Sequence, residues 1–317
     1  MRVPLAIPAR GSRPFDVVGF GLNSIDLLTV VAEFPTGNSK QRLQRFARMP
    51  GGQTATALVT CARHGWAARY VGSFGGDEFG EMSRESLVSE GVDVTASPTV
   101  EGATNQFAVV LVDARSGERT VLWDRHPELV MSPEKLPQEA VTSGRILIVD
   151  CHETATAAQA ARYARAAGIP TVVDVEKVRP GIADLLQQID AIIAAQDFPT
   201  AFTGYEDPQR ALEAMAREFD ARLVCVTLGE GGSLAWCAGR CTRTPGFQVD
   251  CLDSTGAGDV FRGAFVAACL RNPEGDIEEV LAYANAAAAL SCRALGARAG
   301  IPQPDEVERF LRAQSRI

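Results

Sequence analysis

The chain has 317 residues, 46% apolar and 22% charged, with a formal net charge of −8. That is the balance of an ordinary soluble globular protein with room for one large domain or two. The acidic surplus argues against nucleic acid or an anionic membrane as the main partner, and no apolar run reaches the roughly 18 residues a membrane helix needs.

Residues 1–14 carry three prolines and three arginines and no apolar core, so they read as a disordered tail and not as a signal peptide. The folded domain is expected at 15–317. Asp16 to Leu22 is apolar on both alternating faces, the mark of a strand covered on both sides in a parallel sheet. Similar runs recur at Arg145–Asp150, Pro170–Asp174, Ala191–Ala194 and Leu223–Leu228. Helical patterns fall at Thr54–His64, Glu78–Glu90, Thr154–Ala167 and Pro208–Phe219. The alternation predicts a doubly wound α/β sandwich of three layers. Gly19-Phe-Gly21 opens like a dinucleotide fingerprint, but Ser24 stands at the third glycine position and no helix follows, which leaves an NAD-linked oxidoreductase little support. No Walker P-loop occurs.

Two stretches break the alternation. One is Leu27–Arg48; the other is Asn105–Asp124, two strands joined by a turn at Arg115-Ser-Gly117. Gln106 to Val112 is apolar on both faces, whereas a small flap in water would alternate. It therefore needs cover on both sides. The cysteines Cys61, Cys151, Cys225, Cys237, Cys241, Cys251, Cys269 and Cys292 contain no C-x-x-C pair. They read as free thiols of a reducing, cytoplasmic compartment. Cys237 and Cys241 flank a hairpin turn; with three histidines in the chain, a metal there has little support.

The most informative stretch is Asp253-Ser-Thr-Gly256-Ala257-Gly258-Asp259-Val-Phe261. It follows a strand-like segment and opens a long apolar helix. Ser254 or Thr255 is the expected N-cap. Gly256 and Gly258 let another group approach the backbone, and the N–H groups of the first turn make an anion site suited to phosphate. Asp259 is favoured there by the helix dipole, which predicts a low pKa and a weak base; beside a phosphate cradle it is also placed to accept a proton from an attacking hydroxyl.

This segment resembles the C-terminal signature of the ribokinase-like (PfkB) carbohydrate kinases. Met49-Pro-Gly51-Gly52-Gln53-Thr-Ala-Thr56-Ala57 resembles their N-terminal signature, except that Thr56 stands where the family has Asn. The resemblance implies an ATP- and Mg²⁺-dependent sugar kinase of ribokinase-like fold, with Asp259 as base and Gly256, Ala257 and Gly258 as the anion hole. It implies sugar contacts from Asn23, Asp26, Gly51, Gly52, and Gln53 or Thr56. Thr227-Leu-Gly229-Glu-Gly-Gly232 resembles the nucleotide loop, and Asn285 the residue beside the adenine. The irregular stretches become a β lid, inserted at about 27–48 and 105–124. One face closes over the sugar with Asn105 or Arg125 at its ends, and the other meets the lid of a second chain in a homodimer.

The family's N-x-x-E motif is missing: Ala195 and Phe198 occupy its positions, as in ketohexokinase-like branches. Mg²⁺ is then held mainly by ATP phosphates and water, with Asp197, Glu176, Lys177 or Asp253 helping through water. A monovalent cation is a further candidate cofactor. A nucleoside kinase of the same fold and a catalytically silent sugar-binding regulator are the alternative functions.

Overall fold

The computed structural model describes residues 1–116 and 118–314; Gly117, at the predicted lid turn, lies outside them. The chain opens with β1 (Phe15–Phe20), β2 (Ser24–Val31), β3 (Arg45–Gly51), α1 (Gln53–Arg63), β4 (Ala68–Val71), β5 (Phe74–Gly75), α2 (Glu78–Ser89) and β6 (Thr99–Val100). It continues with β7 (Phe107–Asp113), β8 (Arg119–Asp124), α3 (Gln138–Val141), β9 (Gly144–Asp150), α4 (Thr154–Ala166), β10 (Thr171–Val175), α5 (Ile182–Leu186), β11 (Ala191–Ala194), α6 (Phe198–Thr203) and α7 (Pro208–Phe219). The last elements are β12 (Leu223–Thr227), β13 (Ser233–Cys237), β14 (Arg240–Thr244), α8 (Ala257–Arg271), α9 (Ile277–Ser291) and α10 (Pro304–Gln314).

The central sheet has eight strands in the order β14-β13-β12-β11-β10-β9-β1-β4. It is parallel from β4 to β12 and ends in an antiparallel hairpin, β13–β14. The continuous apolar runs follow from cover on both sides. Val17, Ile146 and Ile148 face a core with Leu58 of α1 and Phe261 and Phe265 of α8. Val18, Leu147 and Val149 face a second core with Ala157 and Ala161 of α4 and Leu212 and Met215 of α7. This is the predicted three-layer sandwich.

The two irregular stretches are strands of one four-stranded sheet, β3-β2-β7-β8, in which β2 pairs parallel with β7. A ribbon of two strands would be marginal in water; merging the stretches gives each inner strand two neighbours. The lid is also wider than expected, from Ser24 to Gly51 in its first part. Its inner face is apolar: Leu28, Ala108 and Val110 are buried, with Met49, Val112 and Leu295 against them. On the other face the register aligns Leu27, Val109 and Leu122.

Residues 1–14, expected as a disordered tail, instead run along the body. Val3 N donates to Gly275 O at 2.9 Å, the Met1 ammonium meets Asp276 at 2.8 Å, and Val3 and Leu5 are buried. Two apolar side chains on alternate positions suffice to dock the segment beside α9. All eight cysteines are free thiols, Cys237 and Cys241 included.

Helices α1 and α8 start at the two halves of the cleft and cross closely. The contact is made at Gly263, where a Cβ would overlap the Ala57 carbonyl and Thr60. Overpacking a tight contact costs about 1–3 kcal/mol. Gly263→Val is therefore expected to lower the urea midpoint by that equivalent and to reduce turnover by separating the two helix starts. A variant with wild-type midpoint and turnover would contradict this spacing role.

Candidate active site

Helix α8 begins without a side-chain cap. Gly256 is its N-cap, left-handed at φ 77°, and a Cβ there would meet Ala297 at 2.6 Å. The expected hydroxyl caps are engaged elsewhere. Ser254 Oγ accepts from Arg119 of the lid at 2.6 Å, and Thr255 Oγ1 donates to Asp253 Oδ1 at 2.7 Å. Asp253 also accepts from the N–H groups of Thr255 and Gly296, at 2.9 and 2.8 Å. Both its oxygens thus hold the loops around the helix start. The absence of a cap leaves the Gly258 and Asp259 N–H groups with no acceptor among the described residues. A helix start of this kind is an anion site.

Asp259 stands in that first turn, partly open to solvent. Its pKa is not low, as the helix dipole alone predicts. Burial pushes the carboxyl up to about 7, against the pull of Arg262, and the negative neighbours Glu176, Asp150 and Asp26 push it the same way. Desolvation outweighs the dipole because the turn points into a cleft lined by carboxylates. One turn on, Arg262 is buried and pairs with buried Asp174 of β10 at 2.6 Å. Gly258 lies against this guanidinium: a Cβ would sit 2.5 Å from Arg262 Nη1. A side chain here would have to displace the guanidinium tip beneath it as well as any anion above.

A groove of ≈ 540 Å³ leads to this turn from the β12–β14 hairpin. Thr227, Gly229, Gly232 and Asn285 all line it, as expected of a nucleotide site, and so do Ala288 and Ala289. Asn285 fixes the wall by aiming its amide at Ser233 Oγ, Thr244 O and Pro245 O, at 3.2, 3.3 and 3.2 Å. The stretch Gly229–Gly231 is a single 3-10 turn between strands, so the hairpin and the nucleotide-loop readings describe the same residues.

Across the cleft, Asp26 rises from the root of the lid. Burial raises its carboxyl to about 6, against the Ser24 hydroxyl and Arg298. Gly51 packs on Asp26, and Gly52, at φ 89°, packs on the Asn23 backbone. Gln53 opens α1 and donates to Asp174 at 3.3 Å; its Oε1 is buried without a partner.

Three predicted sugar contacts face other partners. Asn23 spends its amide on the Tyr70 hydroxyl, Ser73 O and the Ser83 hydroxyl, at 2.7, 2.9 and 2.9 Å. Thr56 is fully buried and takes Arg298 Nε at 3.3 Å. Asn105 bonds Gly75 N and Gln106 O, at 3.0 and 3.1 Å. Each is buried with its polar atoms satisfied internally, which makes it a brace of the loops. Arg125 pairs with Glu153 and donates to Leu129 O at 3.2 Å.

Asp150, Asp174, Arg262 and Arg298 were not singled out from the sequence. Asp150 takes the Leu22 N–H at 2.6 Å and the Thr54 hydroxyl at 2.8 Å. Arg298 reaches Gly51 O and Ser86 Oγ, and burial lowers it to about 10. The one available signal was Arg262, a charge within the apolar run Phe261–Leu270. At the N-x-x-E positions, Phe198 is buried and stacks on Phe202 at 5.7 Å. Among the described residues no group of three or more His, Cys, Asp or Glu is placed to hold a metal. Glu176 is exposed beside the site.

Unsatisfied N–H donors next to a carboxylate, at the end of a groove, are what phosphoryl transfer requires of a site. Residues 15–304 match the pfkB family carbohydrate kinases. An ATP-dependent ribose-1-phosphate kinase of Halopiger xanaduensis is 30% identical over 297 residues, 93% of this chain and 97% of its own. Ribokinase of Arabidopsis thaliana, solved with ribose and ATP, is 24% identical, with a TM-score of 0.81 over 94% of this chain and 98% of its own. An E. coli structure in complex with ATP and Mg²⁺ is 20% identical, with a TM-score of 0.82 over 94% and 99%. The chain belongs to the PfkB family of carbohydrate kinases and has the ribokinase-like fold; it is an ATP-dependent sugar phosphotransferase.

The raised carboxyls predict the pH profile. With Asp259 as the base, which must be ionised to act, kcat/KM for sugar should be flat above about pH 7 and fall below it as the carboxyl is protonated. The fall should steepen below about 6 as Asp26 follows. The kcat/KM profile reports the free enzyme. A flat profile from about pH 5 to 8 would contradict the assignment.

Proposed function

We propose that Asp259 is the catalytic base and that the sugar lies between the inner lid face and the start of α1. The observation that carries this is the coincidence, in one turn, of uncapped N–H donors and a carboxylate raised to about 7. ATP fills the groove, with Thr227, Gly229 and Gly232 beside its phosphates and Asn285 beside the base. The γ-phosphate then rests on the N–H groups around Gly256, Ala257 and Gly258. Asp26 accepts from sugar hydroxyls, since a carboxylate has two acceptor oxygens and no competing donor. Gly51 and Gly52 let the sugar meet the backbone, and Gln53 carries an unpartnered Oε1 toward this region. Asp259 takes the proton of the attacking hydroxyl. Transfer through a loose transition state asks mostly for position and charge stabilisation.

Mg²⁺ supplies neutralisation of the β- and γ-phosphate charge. The donor set fits an ion brought in by ATP, with exposed Glu176 and loop-bound Asp253 as contacts through water. A monovalent cation would act where Asp253 ties the cradle to the Gly296 loop, and turnover in potassium against sodium tests that. Consumption of ATP and the free state of all eight cysteines support a cytoplasmic enzyme. No helix among the described residues is long and apolar enough to cross a membrane.

A nucleoside acceptor is the second reading. It is favoured by Trp123, which shares the inner lid face through its pairing with Ala108 and is 59% exposed. An ADP-release screen over sugars and nucleosides decides between them. Asp259→Asn keeps the size and removes the acceptor; kcat should fall by about 10²–10⁴, with ATP binding retained by calorimetry. Near-normal turnover would remove Asp259 from the base role.

The outer lid face, with Leu27, Val109 and Leu122 in register, supports a dimer through the same face of a second lid. Val110 belongs to the inner face, so the informative change is at Leu122, which is 60% exposed. Leu122→Lys should convert a sedimenting dimer to monomer and raise sugar KM more than ATP KM. A wild-type monomer at micromolar concentration would sink the dimer.

A further inference from the structure

At the acceptor end of the cleft, three segments converge away from the nucleotide groove. They are the end of β8 with Arg125, the β9–α4 loop with His152, and the β10–α5 loop with Arg179. Arg125 pairs with Glu153, next in sequence to His152, and Thr154 Oγ1 donates to Pro180 O at 2.7 Å, next to Arg179, which joins the three segments; His152 interacts electrostatically with both arginines and with Asp150 and Glu176. Glu176 and Asp150 in turn act on Asp259. The Cys151 thiol contacts the backbone of Glu176 and Lys177, packing the two loops together.

Three carboxylates lie near the two arginines, but only one of the guanidiniums is paired among the described residues. Arg125 is held by Glu153, which also takes Met131 N at 2.9 Å. Asp150 is spent on Leu22 N, Thr54 and His152 N. Arg179 has no carboxylate within ion-pair distance among the described residues. Its Nε is buried with no acceptor, and the Nε of Arg125 is in the same state. Buried guanidinium donors without acceptors are costly to leave unmet, and two of them around one imidazole form a place for an oxyanion.

We propose that the acceptor is an anionic sugar derivative, bearing a phosphate or carboxylate, whose oxyanion is held by Arg179 with Arg125 and His152. This rests on the kinase reading and narrows its substrate class. The reacting hydroxyl lies at Asp259, and the anion lies at the far end of the same molecule. A neutral sugar would leave the two donors unmet, so the site discriminates by charge as well as shape.

ADP release is measured with purified full-length enzyme and matched acceptors: free aldoses and ketoses, their monophosphates, and the corresponding sugar acids. The wild type is expected to favour an anionic acceptor, the phosphate and carboxylate arms separating the two sources of charge. In Arg179→Gln the ratio of kcat/KM for that acceptor over its neutral counterpart should collapse by about 100-fold, the usual effect of deleting a buried charge partner. It should do so mainly through KM, and Arg179→Lys should restore part of it. A thermal melt checks that each variant folds. Preference for a neutral sugar, or a ratio unchanged in a folded Arg179→Gln, overturns the inference and leaves the kinase reading standing. No ADP release with any acceptor overturns both.

Discussion

The buried pair between Arg262 and Asp174, at 2.6 Å, is the constraint on which the site depends. It joins the first turns of α8 to the end of β10, so the phosphate cradle cannot move independently of the sheet. Removing one partner of such a pair typically costs about 3–5 kcal/mol, because the survivor is left charged and unpaired. The pair also bears on Gly258, since a side chain there would have to displace the guanidinium. Gln53 at the start of α1 donates to the same Asp174. The two halves of the cleft are therefore referred to one carboxylate.

The acid–base character of the cleft is a contest between local and global electrostatics. A helix start favours an ionised Asp259. Burial near Glu176, Asp150 and Asp26 disfavours it and prevails. The result suits a base working near neutral pH better than a first-turn acid would by itself. Arg298 has the corresponding place on the acceptor side, reaching Gly51 O and Thr56 beneath the glycines that flank Asp26.

The two apolar faces of the four-stranded sheet differ in their cover. Its inner face packs on Met49 and Leu295, and Arg119 carries it to Ser254 at the cradle. Gly296, whose N–H is held by Asp253, also lies against Met49 of β3, so the sheet meets the loops around the helix start at two places. The outer face has less cover among the described residues: Phe79 of α2 packs on Phe107 at its root, and β8 is exposed along its length.

The sandwich and the glycine-rich helix start were legible because their information is local. Strand faces alternate over a few residues, and Asp253 to Asp259 puts glycines, donors and acid into one turn. Even there the capping residue differed: Ser254 and Thr255 were captured by Arg119 and Asp253, one of them 135 residues away. Asn23 and Thr56 stand at motif positions and Asn105 at an end of the lid, yet their amides and hydroxyl meet Tyr70, Ser83, Arg298 and Gly75. A polar side chain bonds whatever the fold brings within about 3 Å, and sequence spacing does not encode that distance. By itself the sequence determined the layered fold, the glycine-rich helix start and the class of chemistry. Only the tertiary structure decided which polar residues face the cleft, how strongly Asp259 holds its proton, and which arginines lack a partner, because desolvation and ion pairing depend on residues far apart in the chain.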